Sequence, residues 1–129
     1  MNTDPHNGDI LKLCDVIRET SFAIHNYLRN GHRESIYETA LANRLRKLGI
    51  KVEQQQAVAV YDEDGTLLGT LKTDLLIDSR LICEIKSVRV LVDEHIAQLL
   101  GYLRASRIEH GLLINFGASR LQIKKFILN

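Results

Sequence analysis

The spacing of apolar residues changes its period at Gly49, and this change does most to limit the fold of the chain. Before Gly49, two segments separated by Asn30-Gly31 carry apolar residues at helical spacing. After it, apolar and polar residues alternate over Val52–Tyr61, which is typical of a strand with one covered face. Two helices followed by strands predict an α/β domain.

The rest of the pattern completes the element order ααβββαββ. The stretch Gly111–Phe116 is almost wholly apolar, which is typical of a central strand covered on both faces. Three strands joined by hairpins, followed by a helical crossover and this buried strand, predict a mixed sheet flanked by helices. The elements predicted after the first strand are strands over Leu67–Ile77 and Leu81–Ser87, a helix over Val92–Ser106, and strands over Gly111–Phe116 and Leu121–Leu128.

The length of 129 residues suits one domain. We expect a flexible polar leader over residues 1–9 and a single domain over residues 10–129. The leader lacks the residue order of a signal peptide and no apolar run reaches the length of a membrane span, which predicts a cytoplasmic protein without a membrane partner. Cys14 and Cys83 have apolar neighbours and are predicted to be reduced core thiols.

The charges of the chain nearly cancel, since 17 basic side chains are balanced by 16 acidic ones. A protein that holds duplex nucleic acid by bulk charge usually has a clear basic excess. Any nucleic-acid binding must therefore come from a local basic patch or from a bound cation. Basic residues cluster within 44–51 and 120–125, and each cluster is either a phosphate-facing strip or an ordinary solvated face.

The hairpin between the second and third strands carries the most informative residues. If Asp78–Arg80 forms its loop, Asp74 lies directly across from Glu84, and the next pair on that face is Lys72 with Lys86. Directly opposed side chains have Cβ atoms roughly 4.5–5.5 Å apart, and like charges at that distance destabilise a hairpin. Two carboxylates in a mostly apolar hairpin therefore need an explanation. A register shift of one residue would place them on opposite faces.

Two explanations of the carboxylate pair are open at this point. A divalent cation such as Mg²⁺ takes oxygen ligands, commonly from one or two carboxylates together with water and phosphate. Lys86 is two residues from Glu84 and shares its face, where it could act on a water or stabilise charge on a phosphate. Alternatively, Asp74 and Glu84 belong to a solvent-facing stripe whose charge the neighbouring lysines offset. The spacing alone does not separate a metal site from a polar stripe.

The third predicted helix has a polar line beside its apolar stripe. His95, Gln98 and Tyr102 fall at positions i, i+3 and i+7. Gln98 could bind a water or a phosphate and Tyr102 could donate a hydrogen bond, or the line is an ordinary half-exposed helix face. His95 is expected to be a surface residue, because no second His or Cys lies at metal spacing. Glu34, near the start of the second helix, is typical of a cap partner or of a favourable contact with the helix dipole.

Residues Gly31–Tyr37 (GHRESIY) match the pattern that names the GxxExxY protein family. Later blocks resemble the same family in order, so that the resemblance covers nearly the whole chain after the leader. These blocks are Asp74–Leu76 (DLL), Glu84–Lys86 (EIK), Ala97–Leu103 (AQLLGYL) and Gly111–Gly117 (GLLINFG). The family is similar to the PD-(D/E)XK nuclease superfamily. The resemblance therefore implies a restriction-endonuclease-like fold with an αβββαβ core, an extra N-terminal helix and a C-terminal strand.

The resemblance also implies roles for individual residues. Asp74 and Glu84 would be the acids that ligate Mg²⁺ or Mn²⁺, with Glu34 as an additional acid from the helix. Lys86 would be the lysine of the E-x-K motif, positioning the attacking water. Gln98 would be the polar residue that the crossover helix supplies to the scissile phosphate.

Two further positions bear on the resemblance to the superfamily. Tyr102 lies in the same block as Gln98 and is a candidate for substrate binding. Thr73 stands where the name of the superfamily has proline. Proline removes a backbone donor but takes no part in the chemistry, so this difference does not weaken the predicted site.

Three functions are consistent with these residues. The first is a nuclease that hydrolyses phosphodiester bonds of DNA or RNA with Mg²⁺ or Mn²⁺. The second is a catalytically inactive nuclease fold that binds nucleic acid or has a regulatory role, in keeping with the net charge of +1. The third is a structural or assembly protein, with a homodimer formed at the exposed edge of the last strand.

Overall fold

The elements of the folded chain follow the predicted order. The computed structural model describes residues 5–128, and within that range the chain forms three helices and five strands. Gly49 follows the second helix with a φ of 82°, a conformation that favours glycine, and so ends that helix where the apolar period changes. The elements are α1 (Pro5–Leu28), α2 (Glu34–Lys47), β1 (Val52–Tyr61), β2 (Leu67–Ile77), β3 (Leu81–Lys86), α3 (Asp93–Ser106), β4 (His110–Asn115) and β5 (Gln122–Ile127).

One five-stranded sheet joins the strands in the order β1-β2-β3-β4-β5. The pairs β1–β2, β2–β3 and β4–β5 are antiparallel, whereas β3 and β4 are parallel and α3 crosses over between them. β4 lies inside the sheet and is buried along nearly its whole length, as its apolar sequence predicts. β5 is an edge strand. This mixed sheet with flanking helices confirms the predicted fold class.

The two faces of the sheet carry separate apolar clusters, because successive strand residues point to opposite sides. The face covered by α1 and α2 holds the larger cluster, whose members include Ile17, Tyr37, Leu41, Leu75, Ile85 and Phe116. The face covered by α3 holds a smaller one, built on Ile82, Leu99, Leu103 and Leu113. Cys14 and Cys83 are buried in the larger cluster as free thiols, as predicted. By the same alternation, Asp74 and Glu84 belong to the side that α3 covers.

The β2–β3 hairpin adopts the predicted register next to its turn. Asp78–Arg80 forms the loop between the two strands. The strand pairing begins at Ile77/Leu81 and continues to Leu75/Cys83. Asp74 and Glu84 are the next residues beyond this last pair, so the register places them on the same face, as predicted.

The ladder between β2 and β3 ends after Leu75/Cys83, and this corrects one expectation. Lys72 and Lys86 do not form the next pair, since Lys72 lies opposite β1 and Lys86 pairs with β4. The physical reason is that the side chain of Asp74, and not a backbone carbonyl of β2, accepts the hydrogen bond of the Ile85 amide. The two strands therefore part at the level of Asp74.

Helix α1 begins at Pro5, inside the segment predicted to be a flexible leader. Residues 5–9 are helical, and proline suits the first helical position because its missing N–H would have no partner there. The leader over residues 1–9 stays a prediction, and residues 1–4 lie outside the described residues. Within residues 5–128, none of the helices combines the length and the apolar character that a bilayer crossing needs.

Candidate active site

Asp74 and Glu84 lie where β2 and β3 part. Oδ2 of Asp74 accepts a hydrogen bond from the amide of Ile85 at 2.8 Å. In the other direction, the amide of Asp74 donates to Oε2 of Glu84 at 3.4 Å. Each carboxylate is thus held by the backbone of the opposite strand, and these bonds bring the two acids side by side.

Glu84 is a buried acid with an unused oxygen. The residue is 3% exposed, and its Oε1 has no hydrogen-bond partner among the residues that the structure describes. Burial, together with the hydrogen bond and the charge of the Asp74 carboxyl, raises the pKa of Glu84 to about 9, against smaller opposing effects of the Asp74 amide and Lys86. A buried carboxyl oxygen without a partner destabilises a protein unless a ligand fills the position.

Lys86 is linked to α3 by hydrogen bonds. Its Nζ donates to Oε1 of Gln98 at 2.8 Å, and Nε2 of Gln98 donates to the hydroxyl oxygen of Tyr102 at 3.2 Å. Gln98 and Tyr102 are one helical turn apart, which brings their side chains together. Burial and the charge of Glu84 raise the pKa of Tyr102, so its hydroxyl stays protonated and keeps a hydrogen to donate.

Glu38 on α2 also lies next to this cluster and was not among the predicted site residues. It is 7% exposed, and its carboxylate accepts hydrogen bonds from Nε2 of Gln54 at 3.0 Å and from Nε2 of Gln55 at 2.8 Å. The same nitrogen of Gln55 donates to Oδ1 of Asp74 at 3.3 Å. Burial first, and then the charge of Asp74, raise the pKa of Glu38, while the two glutamines oppose this effect.

Glu34 occupies a different position from the other predicted acids. It is the first residue of α2, one turn before Glu38, and its side chain is exposed. Its charge contributes weakly to the raised pKa of Glu38. An acid at this position interacts favourably with the helix dipole. His95 accepts a hydrogen bond from the amide of Val92 at 3.1 Å, so it caps the start of α3.

The pair of Asp74 and Glu84 fits a divalent cation of the Mg²⁺ type. The two carboxylates are adjacent, have lone pairs to spare, and include a buried oxygen that lacks a partner. Over residues 5–128 there is no group of three or more His, Cys, Asp or Glu side chains at ligand spacing. Mg²⁺ does not need such a group, because water and substrate phosphate oxygens usually complete its six ligands. The donors therefore suit a cation that binds together with a phosphate.

The backbone that follows Lys86 is clamped by Asn115, which is fully buried. Its Oδ1 accepts hydrogen bonds from the amides of Val88 and Gly117, both at 3.0 Å. Its Nδ2 donates to the carbonyl of Val88 and to Oε1 of Gln122, both at 2.9 Å. Gly117 is needed here because a Cβ would lie 2.3 Å from the Val88 nitrogen. β4 therefore fixes the loop next to the site lysine.

Two of the basic residues near the end of α2, Arg46 and Lys51, take part in contacts within the fold. Arg46 donates to the carbonyl of Val52 at 2.8 and 3.3 Å and to Oε1 of Gln54 at 3.1 Å. Lys51 forms an ion pair with Glu53 at 3.5 Å. These contacts favour a structural role for Arg46 and Lys51 over a phosphate-facing strip.

A mixed sheet that contains the αβββαβ order, with two acids and a lysine where β2 and β3 part, defines a restriction-endonuclease-like α/β protein. The sequence profile of the PD-(D/E)XK nuclease superfamily matches residues 11–126, and the chain belongs to this superfamily. The match confirms the relationship that the motifs predict. The narrower resemblance to the GxxExxY family stays a prediction.

A solved structure described as the crystal structure of SSO0001 is similar to this chain. The TM-score is 0.61 at 20% sequence identity, over 74% of this chain and 50% of that one. The chain therefore matches half the length of that protein, and at this identity the similarity concerns the fold alone. No curated protein matches the chain.

Proposed function

We propose that the chain is a nuclease that hydrolyses phosphodiester bonds of DNA or RNA with Mg²⁺ or Mn²⁺ as its cofactor. The observation that carries this proposal is the buried Glu84 beside Asp74, with a carboxyl oxygen that has no hydrogen-bond partner among the described residues. Membership of a nuclease superfamily supports it. Burial beside Asp74 raises the pKa of Glu84 to about 9, and a bound cation would stabilise both carboxylates in their charged form.

In this proposal Asp74 and Glu84 hold the cation, and an acid of α2 assists. The cation, when bound, neutralises charge on the phosphate and favours attack by water. Glu38 is the better placed of the two α2 acids, because Gln55 connects it to Asp74, whereas Glu34 is exposed at the start of the helix.

The hydrogen-bonded residues of β3 and α3 act on the substrate. Lys86 orients the attacking water or stabilises negative charge on the phosphate. Gln98 was predicted to contact the scissile phosphate, but its Oε1 accepts the hydrogen bond of Lys86, so its first role is to orient that lysine. Tyr102 accepts a hydrogen bond from Gln98 and can donate its own hydrogen to a phosphate oxygen.

The test is cleavage of single- and double-stranded DNA and RNA oligonucleotides in MgCl₂ or MnCl₂. Glu84→Gln keeps the size and the neutral state of the side chain but removes a cation ligand, so we expect an intact fold and no cleavage. Glu94→Gln changes an exposed acid in the first turn of α3 and should cleave like the wild type. Equal cleavage by Glu84→Gln and the wild type would contradict the proposal.

The same oligonucleotides distinguish the binding-module alternative. Salt-dependent binding without cleavage in either metal would favour an inactive nuclease fold that holds nucleic acid. Absence of binding at low salt would argue against nucleic acid as the partner. The homodimer through the β5 edge stays a prediction, and sedimentation that shows only a monomer would contradict it.

The two α2 acids can be compared directly by calorimetric titration with MnCl₂. Glu38→Gln should lower the Mn²⁺ affinity about tenfold, because it alters a buried acid that is connected to Asp74. Glu34→Gln should leave the affinity unchanged, because Glu34 is exposed. The reverse order would restore Glu34 as the assisting acid.

A further inference from the structure

Strand β1 has an irregular backbone at Gln55, directly opposite Asp74. The φ of Gln55 is 53°, in the left-handed region that residues other than glycine rarely adopt. The pairing of β1 with β2 includes Gln54/Leu75 before this residue and Gln56/Thr73 after it. The register therefore places Gln55 across from Asp74 and is the same on both sides of the irregularity.

The left-handed backbone changes the direction of the Gln55 side chain. In a regular strand, the side chains of Gln54 and Gln55 would point to opposite faces of the sheet. Here both reach the carboxylate of Glu38, with Nε2 of Gln54 at 3.0 Å from one oxygen and Nε2 of Gln55 at 2.8 Å from the other. The uncommon conformation of Gln55 thus places a second amide against α2.

The Gln55 amide joins two acids of different elements. Its Nε2 carries two hydrogens, and it donates to Oε1 of Glu38 and, at 3.3 Å, to Oδ1 of Asp74. Next to them, Glu84 is 3% exposed and its Oε1 lacks a partner within the described part of the chain. The bridge therefore joins two acids that lie next to a buried carboxyl oxygen without a hydrogen-bond partner among the described residues.

We propose that Gln55 is a positioning residue that sets the separation of Glu38 and Asp74 and thereby the affinity of the site for Mg²⁺ or Mn²⁺. This inference rests on the proposed function, since it assigns Gln55 to the same cation site. Gln55 acts through the two carboxylates and needs no contact with the cation. Loss of a hydrogen bond to a ligating carboxylate typically lowers metal affinity about 10- to 100-fold.

The experiment titrates MnCl₂ alone into the wild type and two variants by calorimetry and follows the thermal unfolding of each in EDTA. Gln55→Gly accepts the left-handed backbone but has no amide to bridge the acids. Relief of the left-handed strain and loss of the hydrogen bonds to Glu38 and Asp74 change the stability in opposite directions, so we expect the variant to stay folded in EDTA, while its Mn²⁺ affinity falls about tenfold or more. Gln56→Ala changes the next residue, which pairs with Thr73 and so points to the opposite face from Asp74, and should match the wild type in both measurements.

The outcomes separate this inference from the proposed function. Equal Mn²⁺ affinity of Gln55→Gly and the wild type would overturn the inference alone. Absence of Mn²⁺ binding by the wild type would overturn it as well, and the proposed function would fall only if cleavage were also absent. If Gln55→Gly does not fold, Gln55→Asn replaces it, because asparagine tolerates the left-handed region and is one methylene shorter. The same loss of affinity is expected for that variant, and its absence would overturn the inference.

Discussion

The two faces of the sheet are built differently, although the same strands supply both. The face under α1 and α2 carries the larger apolar cluster, and Leu75 and Ile85 are fully buried there. The face under α3 is apolar around Ile82 but carries Asp74 and Glu84 where β2 and β3 part. The face under α1 and α2 therefore supplies most of the stability of the fold. The two acids on the face under α3 lower that stability but form the candidate site.

Adjacent residues of β3 show this difference most directly. Ile85 is fully buried in the larger apolar cluster, whereas Glu84 is buried beside another acid and has an oxygen without a described partner. Burial of an apolar side chain stabilises the fold, and burial of an acid without a full set of partners destabilises it. The close packing under α1 and α2 therefore allows the chain to tolerate the acids on the other face.

The largest effect is expected from weakening the apolar face. Ile85→Ala removes most of a fully buried side chain and should lower the free energy of unfolding by roughly 2–5 kcal/mol. Val90→Ala, at a position that is 65% exposed, should change it by less than about 0.5 kcal/mol. Urea unfolding followed by circular dichroism measures both. Equal stability of the two variants would contradict the idea that this face stabilises the fold.

The acid-bearing face should lose stability as the pH rises. The pKa of Glu84 is about 9 in the folded chain against an ordinary value of 4.5, so between these values the folded chain holds one more proton than the unfolded chain. In EDTA, the free energy of unfolding should therefore decrease by up to about 1.4 kcal/mol per pH unit across neutral pH. Glu84→Gln stays neutral and should abolish this slope in urea unfolding. The same slope in both proteins would assign the titration to another group.

A smaller effect is expected at the loop after β3, beside the acid-bearing face. Asn115→Leu keeps a side chain of similar size but removes the hydrogen bonds to the backbone of Val88, which should cost about 1–3 kcal/mol. Hydrogen exchange of the Val88 amide should become faster in this variant. Gln122→Ala removes only one of the bonds of Asn115 and should leave that amide protected. Unchanged exchange in Asn115→Leu would show that another contact holds the loop.

The element order and the hairpin register were predictable because both depend on local patterns. The apolar period changes at Gly49, and the loop Asp78–Arg80 is short. Both strands are apolar on both faces next to the turn, so the short loop determines the register there. That register places Asp74 next to Glu84, and this could be predicted without knowledge of the rest of the fold.

Glu38 and Gln55 could not be predicted in the same way. Nothing in a glutamine signals a positive φ, which here depends on contacts with α2 and β2. Glu38 carried a weaker signal, since Leu41 and Leu45 follow it at i+3 and i+7 and place it on the buried stripe of α2. An acid on such a stripe needs a hydrogen-bond donor, but only the folded chain shows that Gln54 and Gln55 of β1 are the donors.

The β2–β3 hairpin also has a consequence for the order in which the chain folds. The Asp74 amide and the Glu84 carboxylate are 10 residues apart, whereas the hydrogen bond of the His25 ring with the Ala118 carbonyl joins residues 93 apart. Short loops close with less loss of entropy than long ones, so we expect pulse-labelled hydrogen exchange to protect the Ile85 amide early. We therefore expect the paired acids to come together before α3, which follows them in the chain, packs over this face of the sheet.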